Sequence, residues 1–298
     1  MTTAPAATPM LGREDQPPAP VHRPAPRRIS GRAVVYAVLV LALAVTLLPF
    51  VWMVLGSLKT SSEILGDPTR WFPEAPTLGN YSTWLDDLGI GRFFQNTLIV
   101  SLVTVAGNIV FCSMLGYALA KMEFAGKRLL FALVLITLMV PATVTFVPLF
   151  VTVSKLGLIN TYAALILPFL AQPIGVFLMR QFMSDIPDSL IEAARIDGAG
   201  ELRIFARIVM PLCGPAVATL AILTFLFSWN NFLWPLVAAQ SEDMYTLPVA
   251  ISLYSTGQNS ADYGLMLAGA VLVITPILLL FIALQRFFIQ GIASTGIK

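Results

Sequence analysis

Long uncharged stretches constrain this sequence more than any other feature. Six runs of apolar and neutral residues separate its charged residues, and each is longer than the roughly 20 residues with which a helix crosses about 30 Å of hydrocarbon. Only 11% of the 298 residues are charged, against about 25% in an ordinary soluble domain. The runs predict an all-α polytopic membrane protein with six transmembrane helices. The predicted spans are about residues 33–56, 95–120, 129–153, 160–180, 208–237 and 263–286.

One further uncharged stretch, residues 244–261, is not counted as a span. It contains Pro248 and a run of small polar residues from Ser255 to Ser260. Proline and clustered Ser, Thr, Gly and Asn are typical of loops. We therefore expect an aqueous loop or a short interfacial helix here.

The positive charges are distributed unevenly between the loops. When the loops of a six-span chain are assigned alternately to two sides, only four of the 18 Lys and Arg residues lie opposite the termini: Lys59, Arg70, Arg92 and Lys155. Cytoplasmic loops carry the larger share of Lys and Arg, so both termini are predicted to be cytoplasmic. Residues 1–32, rich in Pro and Arg, are predicted to be a disordered cytoplasmic tail. Residues 33–298 form the predicted transmembrane domain.

The sequence offers no motif for catalysis, metal binding or energy coupling. Gly126-Lys127 is followed by Arg128 and lacks the preceding glycine of a phosphate-binding loop. Cys112 and Cys213 lie at apolar positions, which favours small buried side chains. Ion-coupled carriers usually place ionisable residues inside the membrane, and the interiors of the predicted spans have no Asp, Glu, Lys or Arg. The chain is expected to be non-catalytic and to bind no metal, cofactor or nucleic acid.

The predicted loop at residues 181–207 is the most polar part of the chain after the tail. Ser189 and Glu192 have the spacing of a capping box, and Glu192 and Arg195 lie three residues apart on one helical face. Gly198 is placed where such a helix would end. A second helical run follows, and we expect it to continue into the fifth span. Composition alone also suits an amphipathic helix that rests on lipid headgroups.

The same loop closely resembles the cytoplasmic EAA signature of ABC importer permeases. The matching residues are Glu192-Ala193-Ala194, Asp197-Gly198-Ala199, Phe205, Ile208, Pro211 and Pro215. The resemblance implies a type I ABC importer permease fold in which this loop couples to ATPase subunits. The coupling residues that it implies are Ser189, Glu192, Ala193, Ala194, Arg195, Asp197, Gly198, Ala199, Phe205 and Pro211.

Other stretches resemble the carbohydrate-uptake branch of these permeases, and specifically the smaller permease subunit of maltose-type systems. They are residues 57–60, 71–73, 76–81, 228–235 and the ending Gln285-Arg286-Phe287-Phe288 with Gly291. The resemblance covers residues 33–298. It implies a permease subunit of an ATP-driven, binding-protein-dependent sugar or oligosaccharide importer in the bacterial cell membrane. The implied partners are a second homologous permease, a dimer of cytoplasmic ATPases that bind ATP and Mg²⁺, an extracytoplasmic solute-binding protein and the bilayer.

The solute is predicted from neutral and aromatic residues within the spans. Sugars favour aromatic faces and uncharged hydrogen-bonding groups, and the candidate pathway residues are Trp229, Asn230, Asn231, Trp234, Gln172 and Asn108. An intramembrane Asn or Gln also commonly binds a neighbouring helix. Glycerol 3-phosphate or a related polyol is the alternative solute, and a stand-alone secondary carrier is the alternative class of protein.

Overall fold

The computed structural model describes residues 29–256 and 262–295, with side-chain surroundings given for residues 33–256 and 262–282. Most of the predicted tail and the side chains of residues 285–288 lie outside the described residues. In the described ranges every secondary-structure element longer than one residue is a helix, and fifteen of these are α-helices. They are α1 (Ile29–Ser57), α2 (Ser61–Gly66), α3 (Gly79–Ser82), α4 (Ile90–Lys121), α5 (Lys127–Met139), α6 (Ala142–Lys155), α7 (Tyr162–Ile166), α8 (Pro173–Ser184), α9 (Asp188–Ile196), α10 (Glu201–Ile204), α11 (Met210–Leu212), α12 (Gly214–Trp229), α13 (Leu233–Ala238), α14 (Leu247–Ser255) and α15 (Tyr263–Thr295).

Two structural units divide the chain, residues 1–48 and residues 49–298. The described part of the first unit is the beginning of α1, whose apolar side chains are exposed from residue 33 onward. Helix α1 begins at Ile29, four residues before the predicted first span. The second unit contains the rest of the fold and the sites described below.

Three stretches of the described chain are single helices long and apolar enough to cross a membrane: Ala33–Ser57, Ile90–Lys121 and Tyr263–Ile282. These stretches overlap the predicted first, second and sixth spans. The three other predicted spans fall on helix pairs with a break between them. The pairs are Lys127–Met139 with Ala142–Lys155, Tyr162–Phe169 with Pro173–Ser184, and Glu201–Leu212 with Gly214–Trp229. The chain is therefore a multi-pass membrane protein with up to six spans.

The breaks in these pairs correct one expectation drawn from the sequence. The expected continuous helix from Glu201 into the fifth span is wrong, because the chain turns by 82° at Cys213. The third predicted span is also bent, by 104°. Proline lacks an amide hydrogen and its ring clashes with the preceding turn. Pro141 lies at the first break, and Pro215 lies in the first turn of the helix after the second.

Within the uncharged stretch at residues 244–261, residues 247–255 form a short helix, one of the two alternatives expected there. Helix α14 is nine residues long, and Leu247, Val249 and Ala250 in it are fully buried. The Leu247 amide donates to Thr97 Oγ1 of α4 at 2.7 Å. The helix is not among the candidate spans, as predicted, and one face of it is packed inside the protein while Leu253 is 42% exposed.

The core of the second unit forms where α4 packs against α8 and α12. Two glycines bring the backbones of these helices close together. A Cβ atom on Gly116 would lie 2.9 Å from the backbone nitrogen of Arg180, and one on Gly175 would lie 2.8 Å from Cys112 Sγ. Cys112 and Cys213 are buried free cysteines, as their apolar positions indicate.

Replacing Gly116 with valine should destabilise the folded subunit, because the new side chain must push apart the backbones of α4 and α8. Overpacking of this kind typically costs about 1–3 kcal/mol. The measurement is the thermal aggregation midpoint of the detergent-solubilised protein. Gly91→Val is the matched control in the same helix, since a Cβ there meets nothing within 4 Å. Equal midpoints for the two variants would contradict the close α4–α8 contact.

Candidate functional site

The polar loop forms two short helices joined by a tight bend at Gly198. Helix α9 ends at Ile196, and Gly198 has a φ of 78°. The Gly198 amide donates to the Arg195 carbonyl at 3.0 Å, and the Ala199 amide donates to the Ala194 carbonyl at 2.9 Å. This pair of hydrogen bonds is the Schellman motif, in which glycine is favoured because it adopts a left-handed backbone without strain. The prediction that a helix ends at Gly198 is confirmed.

The start of α9 differs from its prediction. Pro187 occupies the N-cap position, no side chain caps the helix, and the predicted capping box of Ser189 and Glu192 is wrong. Asp188 lies in the first turn, where a carboxylate favourably faces the positive end of the helix. Its Oδ1 atom accepts a hydrogen bond from Lys121 Nζ at 2.6 Å. The helix start is therefore attached to α4.

The close ion pair of Arg195 is with Glu201 and not with Glu192, the residue on the same helical face. Arg195 Nε donates to Glu201 Oε1 at 2.7 Å, because the Gly198 bend folds α10 back beside α9. Tyr117 of α4 donates its hydroxyl to Glu201 Oε2, also at 2.7 Å. The hydrogen bonds from Arg195 and then Tyr117 lower the pKa of Glu201, and the bond to Glu201 raises the pKa of Arg195. Both shifts favour the charged forms.

Together these groups attach the loop to α4 at two points. We call this set the polar clasp: Tyr117, Lys121, Asp188, Arg195 and Glu201. Tyr117 and Lys121 lie four residues apart, on one face of α4. The Lys121 side chain is only 4% exposed, and its Nζ also donates to the Ile186 carbonyl at 2.6 Å. The loop is thus held by a helix distant from it in sequence.

The remaining loop residues divide between a buried and an exposed face. Ile191, Ala194 and Ile204 pack into the core cluster that contains Tyr117. Among the predicted coupling residues, Ser189, Glu192, Ala193, Arg195, Asp197, Gly198 and Pro211 are exposed, Ala199 and Phe205 are half-buried, and Ala194 is buried. The Phe205 ring lies 5.4 Å from the Tyr117 ring. Ala194 therefore contacts its own bundle, whereas Ala193 is exposed at the surface.

Three of the predicted pathway residues are used within the fold. Trp229 and Trp234 are buried, and their indole N–H groups donate to the Val273 and Ala164 carbonyls at 3.1 and 2.9 Å. Asn108 is fully buried, donates to the Thr104 and Phe169 carbonyls, and accepts from the Gln172 amide. Their side chains contribute to helix packing.

The other three predicted pathway residues line cavities. Asn230 lines a cavity of about 640 Å³, Asn231 one of about 190 Å³ and Gln172 one of about 330 Å³. Trp234 shares the cavity of Asn231, whereas Asn230 and Gln172 each line a different one, so the six predicted residues do not all line one cavity. Its role in a solute pathway stays a prediction.

Comparison with known proteins identifies the family. Residues 109–294 match the family described as the binding-protein-dependent transport system inner membrane component. The chain belongs to this family. The permease is 42% identical over 257 residues to an arabinooligosaccharides transport system permease of Halalkalibacterium halodurans, a match that covers 85% of this chain and 92% of the relative.

Two other relatives carry different solute names. A lactose transport system permease of Rhizobium radiobacter is 32% identical and matches 87% of the permease and 94% of its own length. An sn-glycerol-3-phosphate transport system permease of Escherichia coli is 30% identical, with 87% and 95% covered. A solved bacterial ABC transporter that imports the acidic polysaccharide alginate has the same fold, with a TM-score of 0.77, 23% identity, and coverage of 88% of the permease and 98% of that chain.

The exposed face of the loop contains residues that the sequence analysis missed. Leu190, Ile196 and Leu202 are 46%, 86% and 71% exposed around the Gly198 bend of the permease. They could have been recognised in the sequence as apolar residues that lie away from the buried face of α9 and α10. That face is formed by Ile191, Ala194 and Ile204. In the described part of the chain, no group of three His, Cys, Asp or Glu side chains could hold a metal ion.

Proposed function

We propose that this permease is one transmembrane subunit of an ATP-driven, binding-protein-dependent importer of a sugar or oligosaccharide in the bacterial cell membrane. In this arrangement it has six spans and two cytoplasmic termini. Its partners are a second homologous permease, a dimer of cytoplasmic ATPase subunits that bind ATP and Mg²⁺, and an extracytoplasmic solute-binding protein. The excess of Lys and Arg on one side of the chain supports this orientation.

The observation that carries the proposal is the loop between α8 and α12. It presents exposed apolar side chains at a rigid bend, which suits contact with another protein surface. The polar clasp attaches the same loop to α4, so that a displacement of the loop by an ATPase moves the bundle. The 42% identity to an arabinooligosaccharides permease supports an oligosaccharide as the solute.

Neutral cavity walls favour a sugar over glycerol 3-phosphate. The three cavities described above are lined without Lys, Arg, Asp or Glu, and a phosphate ester would be expected to meet basic groups. The relative named for glycerol 3-phosphate keeps that solute as the second candidate. Family membership leaves the stand-alone carrier without support.

The test is reconstitution of the full transport complex in lipid vesicles. ATP hydrolysis is measured while the cognate binding protein is added with arabino-oligosaccharides, lactose or glycerol 3-phosphate. We expect a neutral oligosaccharide to stimulate hydrolysis and glycerol 3-phosphate to have no effect. Stimulation by glycerol 3-phosphate alone would contradict the sugar assignment. Uphill uptake by the permease without ATPase subunits would contradict the proposed function itself.

A further inference from the structure

Two of the cavities lie next to each other along one side of the bundle. The cavity of about 190 Å³ is formed mainly by α6, α12 and α13, and the cavity of about 330 Å³ by α8 and α12. The Phe227 side chain of α12 lines both cavities. The two cavities therefore share a wall at Phe227, with Asn231 in one and Gln172 in the other, and we call this pair of cavities the strip.

Aromatic rings on this strip are exposed yet held in place. Phe227 is 47% exposed, and its ring lies 5.6 Å from that of Phe169 in an edge-to-face contact. The Phe169 ring also meets the Trp234 ring at 6.1 Å. Such pairs stabilise the orientation of the rings. A fixed aromatic face is suited to the apolar C–H face of a sugar ring.

Gln172 contributes an amide group without a partner inside the protein. Its Nε2 atom is buried and has no hydrogen bond. The backbone of Gln172 is fully used, since its amide donates to Asn108 Oδ1 at 3.0 Å and its carbonyl accepts from the Gly175 amide at 2.9 Å. Leaving a buried donor unpaired costs about 1–3 kcal/mol, and a hydroxyl group of a ligand would satisfy it.

The cavity of about 640 Å³, which we call the third cavity, differs from these two. Its lining is apolar except for Asn230 and Ser252, and Asn230 Nδ2 already donates to the Leu226 carbonyl at 2.8 Å. The strip that contains Gln172 therefore combines an unsatisfied buried amide with exposed aromatic rings, whereas the amide of Asn230 in the third cavity is satisfied. Binding sites for small polar molecules combine apolar walls with a few placed polar groups in this way.

We propose that Gln172, Asn231 and Phe227 form a carbohydrate-contacting strip, so that this subunit itself touches the sugar during transport. The inference rests on the proposed function and adds the part of the chain that meets the solute. The occupant is a neutral sugar ring, stacked on Phe227 and hydrogen-bonded by the two amide side chains. Trp229 and Asn108 position the helices around the strip, and the Trp234 ring lines the same cavity as Asn231 while its indole N–H group binds the Ala164 carbonyl.

The first experiment measures uptake of arabino-oligosaccharides and lactose by the reconstituted complex carrying Gln172→Ala or Asn231→Ala. Loss of one hydrogen bond worth about 1.4 kcal/mol lowers apparent affinity about tenfold, so we expect the concentration for half-maximal uptake to rise by about that factor. Ser252→Ala, in the cavity of about 640 Å³ that Asn230 lines, is the control and should leave this concentration unchanged.

A second measurement does not depend on how well the alanine variants fold. Cys112 and Cys213 are buried, so an Asn231→Cys variant gives one accessible thiol among the described residues. Its rate of alkylation in the assembled complex should fall when sugar-loaded binding protein is added and stay constant with sugar-free binding protein.

Three outcomes separate the possible failures. A wild-type complex that responds to no solute contradicts the proposed function. Normal wild-type uptake with unchanged affinity in both alanine variants contradicts the strip alone. If the thiol introduced by Asn231→Cys is unreactive in the complex, whether or not sugar is present, a partner subunit covers this face and the proposal is also overturned.

Discussion

Replacing Lys121 with methionine should lower sugar uptake at least about tenfold while ATP hydrolysis by the assembled complex continues. Methionine has a similar length but no charge, so the Ile186 carbonyl and the Asp188 carboxylate both lose their donor. The Ile186 carbonyl lies in a part-buried position, where an unpaired group costs about 1–3 kcal/mol, whereas the Asp188 side chain is 75% exposed to solvent. A cost of about 1.4 kcal/mol corresponds to a factor of ten. With one of the two attachments between the loop and α4 lost, hydrolysis drives the bundle less effectively. The measurement is sugar taken up per ATP hydrolysed in vesicles.

Lys127→Met is the matched control for this uncoupling. Lys127 is paired with Glu123 at 3.0 Å, but Glu123 is almost fully exposed. Surface pairs of this kind contribute about 1 kcal/mol or less, so the control should retain nearly normal coupling. If Lys121→Met and Lys127→Met took up the same amount of sugar per ATP hydrolysed, the polar clasp would have no part in coupling hydrolysis to transport.

Replacing Gly198 with valine should leave the subunit in the membrane and assembled, but should reduce uptake severely. A Cβ atom at Gly198 meets no other atom within 4 Å, so the effect does not come from a clash. It comes from the φ of 78°, a left-handed backbone that costs an ordinary residue about 1–2 kcal/mol, and a β-branched one more. The bend that places Glu201 beside Arg195 would then open.

Gly200→Val provides the comparison two residues away. Gly200 has a φ of −72° and no atom near its Cβ position, so valine fits there without strain. Two measurements test the pair: recovery of assembled complex, and the rate of trypsin cleavage after the exposed Arg195 and Arg203. We expect faster cleavage and slower uptake in the Gly198 variant only. Normal uptake by Gly198→Val would contradict a role for the Gly198 bend in coupling.

The sequence predicted those features of the loop that depend on neighbouring residues. Gly198 follows a short amphipathic run, and glycine is favoured in the left-handed backbone conformation that commonly ends a helix. The helical class followed in the same way from uncharged runs, because a lipid-exposed backbone must satisfy its own hydrogen bonds. These predictions needed no knowledge of which helix lies beside which.

Contacts between distant residues could not be predicted. Asp188 binds Lys121, and Glu201 binds Tyr117 across 84 residues of sequence. Local spacing instead suggested Glu192 as the partner of Arg195, since the pair fits one helical face. Nothing in a single sequence places Tyr117 next to the Gly198 bend.

The six pathway candidates do not all line one cavity, and the reason is related. Trp229, Trp234 and Asn108 have side chains that suit either a sugar or a neighbouring helix, and composition does not separate the two uses. Hydrogen bonds to the Val273 and Ala164 carbonyls settle the use of the two indole groups. Likewise, Pro141 and Pro215 indicate that the chain bends, whereas the angles of 104° and 82° depend on the surrounding packing.

Helix α4 gives the permease a mechanical link between its two ends. Its 32 residues extend about 48 Å at 1.5 Å per residue. Lys121 at one end holds the loop, and near the other end Asn96 binds the carbonyls of Asp243 and Tyr245. In the proposed function, a displacement of the loop would reach residues 243–245 through this single helix, without any relay of small rearrangements between them.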